Sequence, residues 1–192
     1  MNSALLVIDM QNGFLCERSP LFIAGAPATV PNCAALIRRC REKGVPVIFI
    51  TRRYAADGSD VEHTRYPAWL AGGKPLSPGC AEEISAAMPP EFGGEPCDYH
   101  VVKPRWSAFF NTELDLLLRR LKIRRLILAG TTTPNCIRTS CYDAIALDYQ
   151  VTVLSDCTSS ATEEIQRSNL RDMANIGAEI RSSEEIRPDE LI

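Results

Sequence analysis

Short apolar runs that alternate with amphipathic helical segments constrain the fold of this chain more than any other feature of its sequence. Two short runs, at residues 101–102 and 178–181, have the character of strands. Four longer runs predict strands buried on both faces, at residues 4–9, 46–51, 126–130 and 151–154. Strands that alternate with helices predict a parallel sheet covered by helices on both sides. We therefore expect a three-layer α/β/α fold, Rossmann-like, with a central, mostly parallel six-stranded sheet.

Helical spacing appears between these runs. Cys33, Leu36, Ile37 and Cys40 recur at i, i+3, i+4 and i+7, and leucines at 114, 117, 118 and 121 repeat the pattern. A third helix is expected from about 134 to 148. A fourth is expected to begin near 160, where a serine and a glutamate three residues later have capping-box spacing, and to stop at the glycine at 177.

The stretch from 52 to 99 is rich in glycine and proline and lacks a clear period. We expect an ordered excursion with one short helix near 81–88, which forms part of a pocket wall. Neither an internal repeat nor a low-complexity linker interrupts the sequence. We therefore predict a single domain that covers residues 1–192.

Composition excludes several classes of function. The formal net charge is -3, and the arginines are scattered among acids, which argues against a nucleic-acid partner. The apolar runs are too short to span a membrane, and we expect a cytoplasmic protein. Eight cysteines accompany only two histidines, with no C-x-x-C pair, so neither a zinc site nor a disulfide framework is indicated. Most of these cysteines are expected to be small core residues.

Three residues carry the chemistry that the sequence suggests, and each has a structural alternative. Asp9 ends the first strand, where it is either a carboxylate at the mouth of a site or an acid that caps a loop. Cys136 follows Pro134 at the start of a helix, where backbone N–H groups would favour a thiolate, or where a small residue simply packs. Lys103 follows a short strand, and by itself it reads as a solvated surface lysine.

Each of these residues lies in one of three separated sequence segments that match a known family pattern. They read VIDMQ at 7–11, KPRWSAFF at 103–110 and GTTTPNC at 130–136. In order and spacing the chain resembles the isochorismatase-like cysteine hydrolases over nearly its whole length. The resemblance implies Cys136 as the nucleophile, Asp9 as the base and Lys103 as the supporting cation. It also implies a non-proline cis peptide between Thr131 and Thr132, in a turn that contributes to an oxyanion hole.

Sequence differences from better-known members of this superfamily bear on whether the chain binds a metal. Nicotinamidases of this superfamily carry an Asp-x-His metal motif after the second strand, whereas this chain reads Thr-Arg-Arg-Tyr at 51–54. The nearby His63 does not by itself build a metal site. We therefore predict no metal and no cofactor. For the pocket, aromatic and arginine side chains are the candidates for apolar walls and anion contacts: Phe14, Arg53, Tyr54, Arg105, Trp106, Phe110 and Arg138.

The leading expectation is a hydrolase that cleaves a C–N bond of a small amide, carbamoyl or ureido compound through a Cys thioester. Two alternatives stay open: isochorismatase-type vinyl-ether hydrolysis, and a catalytically idle member that serves as a binding module. The expected partner is a small-molecule substrate. The resemblance further implies a homo-oligomer, a dimer or larger; whether a neighbouring subunit completes the pocket stays open.

Overall fold

A computed structural model describes residues 2–186. Within this range, a six-stranded sheet has the order β3-β2-β1-β4-β5-β6, and every pair of neighbouring strands is parallel. The predicted α/β class is confirmed, and the sheet is wholly rather than mostly parallel. The strands are β1 (Ser3–Ile8), β2 (Val47–Arg52), β3 (Tyr99–Lys103), β4 (Arg125–Thr131), β5 (Gln150–Ser159) and β6 (Glu179–Arg181).

Helices cover both faces of this sheet. They are α1 (Asn12–Leu15), α2 (Ala26–Glu42), α3 (Tyr66–Ala71), α4 (Leu114–Arg120), α5 (Arg138–Ala146) and α6 (Glu163–Asn175). A π-helical turn, Thr133–Ile137, leads into α5. Among the described residues, no helix combines the length and the apolar character needed to cross a membrane.

The alternation of side chains along β1 creates two separate cores. Leu6 and Ile8 face a core shared with α4, α5 and α6, whereas Leu5 and Val7 face a core shared with α2. Every residue of β1 is buried. The run of apolar residues with no polar alternation is therefore explained by a central strand that is covered on both faces.

The strand order reverses between β1 and β4, which is where ligands bind in open parallel sheets. Gly130 permits the close approach of the two strands. Its φ is +121°, and a Cβ there would lie 2.0 Å from the backbone oxygen of Ile8. Only glycine fits, so the ends of β1 and β4 meet tightly at the switch point.

Three local predictions were wrong. The last strand before α6 continues to Ser159, well past the predicted end at 154, because its polar residues still pair with Gly130 and Thr131 of β4. The N-cap of α6 is Thr162, whose hydroxyl accepts from Ile165 N, instead of Ser160. In the excursion, the short helix expected at 81–88 is a single 3₁₀ turn, Glu82–Ile84, and α3 was not predicted.

Candidate active site

Asp9, Lys103 and Cys136 converge at the carboxyl end of the sheet. Lys103 Nζ lies 2.8 Å from Asp9 Oδ2 and donates a 3.5 Å hydrogen bond to Cys136 Sγ. It also donates to the carbonyl oxygen of Arg105 at 2.9 Å. Asp9 and Lys103 are fully buried, and Cys136 is 4% exposed. The structure thus brings together the three residues to which the sequence assigned catalytic roles.

Strand order explains why a lysine can make this contact. β2 lies between β1 and β3, so Asp9 and Lys103 start from strands about 10 Å apart at the usual strand spacing. The four-carbon stem of lysine carries its ammonium group across the end of β2. Asp9 has a φ of +54° directly after β1, and its N–H donates to Ile50 O of β2 at 2.8 Å. A sharp change in backbone direction therefore positions the carboxylate.

The carboxyl group of Asp9 is buried and poorly satisfied. Its Oδ2 is within ion-pair distance of Lys103 Nζ, yet neither oxygen accepts a well-aligned hydrogen bond from the described residues. Buried polar atoms are normally hydrogen-bonded, so orphaned oxygens mark a place where another group belongs. A carboxylate in this condition is suited to accept a proton from a neighbour.

The surroundings of Cys136 oppose ionisation of its thiol. Burial raises the pKa of the Cys136 thiol to about 12, and the negative charge of Asp9 acts in the same direction. The positive charges of Lys103 and Arg52 lower the pKa only in part. The direction of the pKa shift opposes the thiolate expected at this helix start, because loss of solvation outweighs the cations. Deprotonation of this thiol requires a base, and Asp9 is adjacent.

The turn before Cys136 is held by the end of β5. The peptide bond between Thr131 and Thr132 is cis, as predicted. Ser159 Oγ donates to Thr131 Oγ1 at 3.0 Å, and Thr132 Oγ1 donates to Ser159 O at 3.2 Å. Thr133 Oγ1 donates to the same carbonyl oxygen at 2.9 Å. The part of Thr131 and Thr132 in an oxyanion hole stays a prediction.

A second buried ion pair lies beside the first, and the sequence did not predict it. Arg52 ends β2 in register with Lys103, is 2% exposed, and pairs with Glu62. Tyr54 Oη donates to Glu62 Oε2 at 3.0 Å. The guanidinium carbon of Arg52 lies 5.2 Å from the ring centroid of Tyr54 and 5.4 Å from that of Trp106. A search for charged residues at strand ends would have found Arg52.

Gln11 links the end of β1 to the end of β2 through hydrogen bonds of its side-chain amide. Its amide donates to Arg52 O and to Ala86 O, both at 3.0 Å, and its Oε1 accepts from Arg52 N at 2.8 Å. Gln11 is fully buried two residues after Asp9. The amide side chain therefore fixes the ends of β1 and β2 relative to each other, and with them the carboxylate and the guanidinium.

The predicted substrate residues are scattered around this centre. Tyr54 is buried, and Phe14 packs against the small cluster that contains it. Arg53 is exposed. Arg105 Nη1 donates to the carbonyl oxygens of Asp60 and Pro104, so its backbone oxygen, and not its guanidinium, reaches the triad. Trp106 is half-buried and contacts Arg52.

A cavity of about 600 Å³ lies next to the site but none of the three triad residues lines it. Trp106 lines the cavity and also contacts Arg52. Phe110, a candidate for the apolar wall of the pocket, is 52% exposed and lines the cavity. Arg138 lines it too, but its guanidinium contacts Asn169 and Asp172 of α6. Because the cavity lies outside the triad, its size does not define the substrate.

The residues around the site do not fit a divalent metal. Within residues 2–186, no three His, Cys, Asp or Glu side chains are grouped so as to hold an ion. His63 is exposed. In the segment 51–54, where the nicotinamidase motif would lie, Arg52 and Arg53 offer no ligand for a metal ion. We derive no step through a metal.

Comparison with known proteins identifies relatives over nearly the whole chain. A sequence model of the isochorismatase domain matches residues 3–185. A probable inactive nicotinamidase of Arabidopsis thaliana is 42% identical over 182 residues, which is 92% of this chain and 90% of that protein. The ureidoacrylate amidohydrolase RutB of Variovorax paradoxus is 32% identical over 82% of this chain and 68% of its own.

A solved structure supports the same relationship. An isochorismatase family protein from Desulfovibrio vulgaris superimposes with a TM-score of 0.88 at 37% identity, and the match covers 95% of each chain. The three-layer arrangement described above is therefore the arrangement of that protein.

Proposed function

The chain belongs to the isochorismatase family, which has hydrolytic members that act on amides, and within it we propose a cysteine hydrolase that cleaves the C–N bond of a small amide, carbamoyl or ureido compound. One observation carries the proposal. Lys103 Nζ lies between Asp9 Oδ2 and Cys136 Sγ in a buried cluster at the switch point of the sheet. A nucleophile, a base and a cation are the groups that acyl transfer needs.

The proposed mechanism begins with the thiol protonated. Asp9 accepts the proton from Cys136 as the sulfur attacks the substrate carbonyl, so that the high pKa of the free thiol is overcome only when the substrate is in place. Lys103 stabilises the negative charge as it moves from carboxylate to sulfur and on to the carbonyl oxygen. The oxyanion is proposed to accept hydrogen bonds from the backbone N–H groups of Thr132 and Cys136.

Collapse of the tetrahedral intermediate breaks the C–N bond. The protonated Asp9 gives its proton to the leaving nitrogen, and the acyl group remains on Cys136 as a thioester. The regenerated carboxylate then takes a proton from water, which attacks the thioester. As the C–S bond breaks, Asp9 returns this proton to the sulfur, and the acid and the free thiol are released. Every proton movement in this cycle uses Asp9, which agrees with its unsatisfied oxygens.

The proposed activity needs neither a metal nor a cofactor. Treatment of the protein with a chelator, followed by an assay of amide hydrolysis, should leave the rate unchanged. Loss of activity that zinc or iron restores would contradict this part of the proposal. The name of the Arabidopsis relative, a probable inactive nicotinamidase, bears on the alternative of a catalytically idle binding module.

A panel of small amides, carbamoyl compounds and ureido compounds tests the function by release of ammonia. We expect turnover of at least one member, abolished by Cys136→Ala. Cys141→Ala is the matched control, because this cysteine is also buried, lies in α5 just beyond the nucleophile and faces the core. Isochorismate is assayed in parallel by release of pyruvate, and its hydrolysis alone would favour the vinyl-ether alternative. No turnover of any compound would favour an idle binding module.

A further inference from the structure

The Arg52–Glu62 ion pair is part of the nucleophile's surroundings, although the mechanism does not use it. Arg52 and Lys103 occupy paired positions at the ends of β2 and β3, and partners in register project to the same face of a sheet. Arg52 Nη2 also donates to Pro104 O, the residue that follows Lys103. The guanidinium is therefore held against the segment that carries the triad's cation.

Within this pair, both carboxylate oxygens of Glu62 accept hydrogen bonds, whereas one N–H group of Arg52 has no acceptor. Glu62 Oε1 accepts from Arg52 Nη2, and Oε2 accepts from Tyr54 Oη. Arg52 Nε is buried and has no hydrogen-bond partner among the described residues. A buried N–H that lacks an acceptor is costly, and a ligand atom that accepts from it would remove the cost.

The positive charge of the Arg52 guanidinium is already balanced by Glu62. The buried side chains comprise two cations, Lys103 and Arg52, and two carboxylates, Asp9 and Glu62. A neutral ligand atom that accepts from Arg52 leaves the balance intact. A ligand carboxylate would add a third negative charge in a region that water does not reach, beside two carboxylates already present.

We propose that the Arg52–Glu62 pair is a specificity element that selects substrates whose second polar group is a neutral acceptor, such as a carbonyl oxygen, over those that carry a carboxylate. This inference rests on the proposed function, since it concerns substrates of Cys136. Glu62 is the selecting residue, because its charge cancels that of the donor. Tyr54 keeps Glu62 in place and so acts through it.

Two alkylating reagents of nearly equal size test the proposal without knowledge of the substrate. Iodoacetamide is neutral and iodoacetate is anionic, and each reacts when the sulfur of Cys136 displaces iodide and the thiol proton is lost. Both consume the same thiolate, so the ratio of their rates cancels any change in the thiolate fraction. Mass spectrometry of the tryptic peptide that contains Cys136 measures each rate.

In the wild-type protein, the ratio of the iodoacetamide rate to the iodoacetate rate should exceed that of N-acetylcysteinamide in the same buffer by about tenfold. Glu62→Gln should lower the ratio by about tenfold, because the guanidinium then attracts the anion. Arg52→Gln should raise it, because Glu62 is left unpaired. Asp57→Asn removes an exposed carboxylate from the same excursion and should leave the ratio unchanged.

The wild-type measurement needs no variant, so the proposal stays testable even if an unpaired buried charge prevents a variant from folding. A wild-type ratio equal to that of the free thiol would overturn it. The proposal would also be overturned if Glu62→Gln and Arg52→Gln did not shift the ratio in opposite directions. Failure of both reagents to alkylate Cys136 would overturn it as well. Alkylation does not depend on hydrolysis, and failure of the amide panel would therefore be a separate result.

Discussion

Lys103 Nζ lies 2.8 Å from Asp9 Oδ2, and neither side chain has any surface in contact with solvent. Removal of one partner from a buried ion pair leaves the other charge uncompensated, whereas removal of both is far less costly. This relationship couples the stability of the protein to the geometry of its candidate site. It also allows the pair to be tested by a double-mutant cycle.

Lys103→Met should lower the free energy of unfolding by about 3–5 kcal/mol, because Asp9 is left charged and buried. The double variant Asp9→Asn with Lys103→Met should recover a large part of that loss. Urea denaturation monitored by circular dichroism measures both values. A double variant no more stable than Lys103→Met would contradict the pairing. Hydrolytic activity should be lost in both proteins, since each lacks the cation.

Alkaline pH should destabilise the protein through its buried thiols. The pKa of Cys136 rises from an ordinary value of 9.0 to about 12 in the folded state, mainly because of burial. Above pH 9 the unfolded chain releases this proton while the folded chain keeps it, so stability falls as the pH rises towards 12. One such group contributes a slope of about 1.4 kcal/mol per pH unit.

Cys136→Ala should therefore reduce the slope of stability against pH, measured between pH 9 and 11, by about 1.4 kcal/mol per unit. Cys141→Ala is a matched comparison, because burial also raises the pKa of the Cys141 thiol to about 12. It should reduce the slope by a similar amount. An unchanged slope in the Cys136→Ala protein would mean that the folded protein holds a thiolate.

The order in which the cysteines react provides an independent test of the same thiol. Cys97 is exposed, whereas Cys136 is 4% exposed and its pKa is raised to about 12. Iodoacetamide at pH 7.5 should therefore label Cys97 before Cys136. The rate at Cys136 should rise with pH without reaching a plateau below pH 10. A plateau near neutral pH, measured by mass spectrometry, would show that the cations outweigh burial.

The resemblance singled out these three residues in the sequence, and their positions at strand ends explain why they meet in space. Asp9 comes after a run of apolar residues, Lys103 ends a short strand, and Cys136 lies in the turn after another strand. The carboxyl ends of parallel strands lie on one edge of the sheet, so residues at those ends meet. Strand assignment therefore gives the approximate site before any side chain is placed.

Other features depend on contacts that no local pattern encodes. Glu62 pairs with Arg52 from an irregular excursion, whose path the sequence does not determine. The protonation state of Cys136 depends on how completely the surrounding elements bury it. β5 continues to Ser159 through polar residues that ended the predicted strand, since their pairing with β4 outweighs their low strand propensity.

The close contact between β1 and β4 makes a last prediction possible. A Cβ on Gly130 would lie 2.0 Å from Ile8 O, and its φ of +121° is unfavourable for any other residue. Gly130→Ala therefore has to push the two strands apart at the point where Asp9 leaves β1 and the nucleophile turn leaves β4. Gly177 has a similar φ of +104°, but a Cβ there would have nothing within 4 Å. The pair of substitutions separates the effect of contact from that of backbone conformation.

Gly177→Ala should cost about 1–3 kcal/mol of stability, the usual range for a strained φ, and should retain hydrolytic activity. Gly130→Ala should cost more and should lower activity even in protein that remains folded, because it moves Asp9 relative to Cys136. Urea denaturation gives the stabilities, and the rate of Cys136 alkylation at fixed pH reports the altered thiol environment. Equal losses of stability in the two variants, with an unchanged alkylation rate, would mean that the strand contact does not position the site.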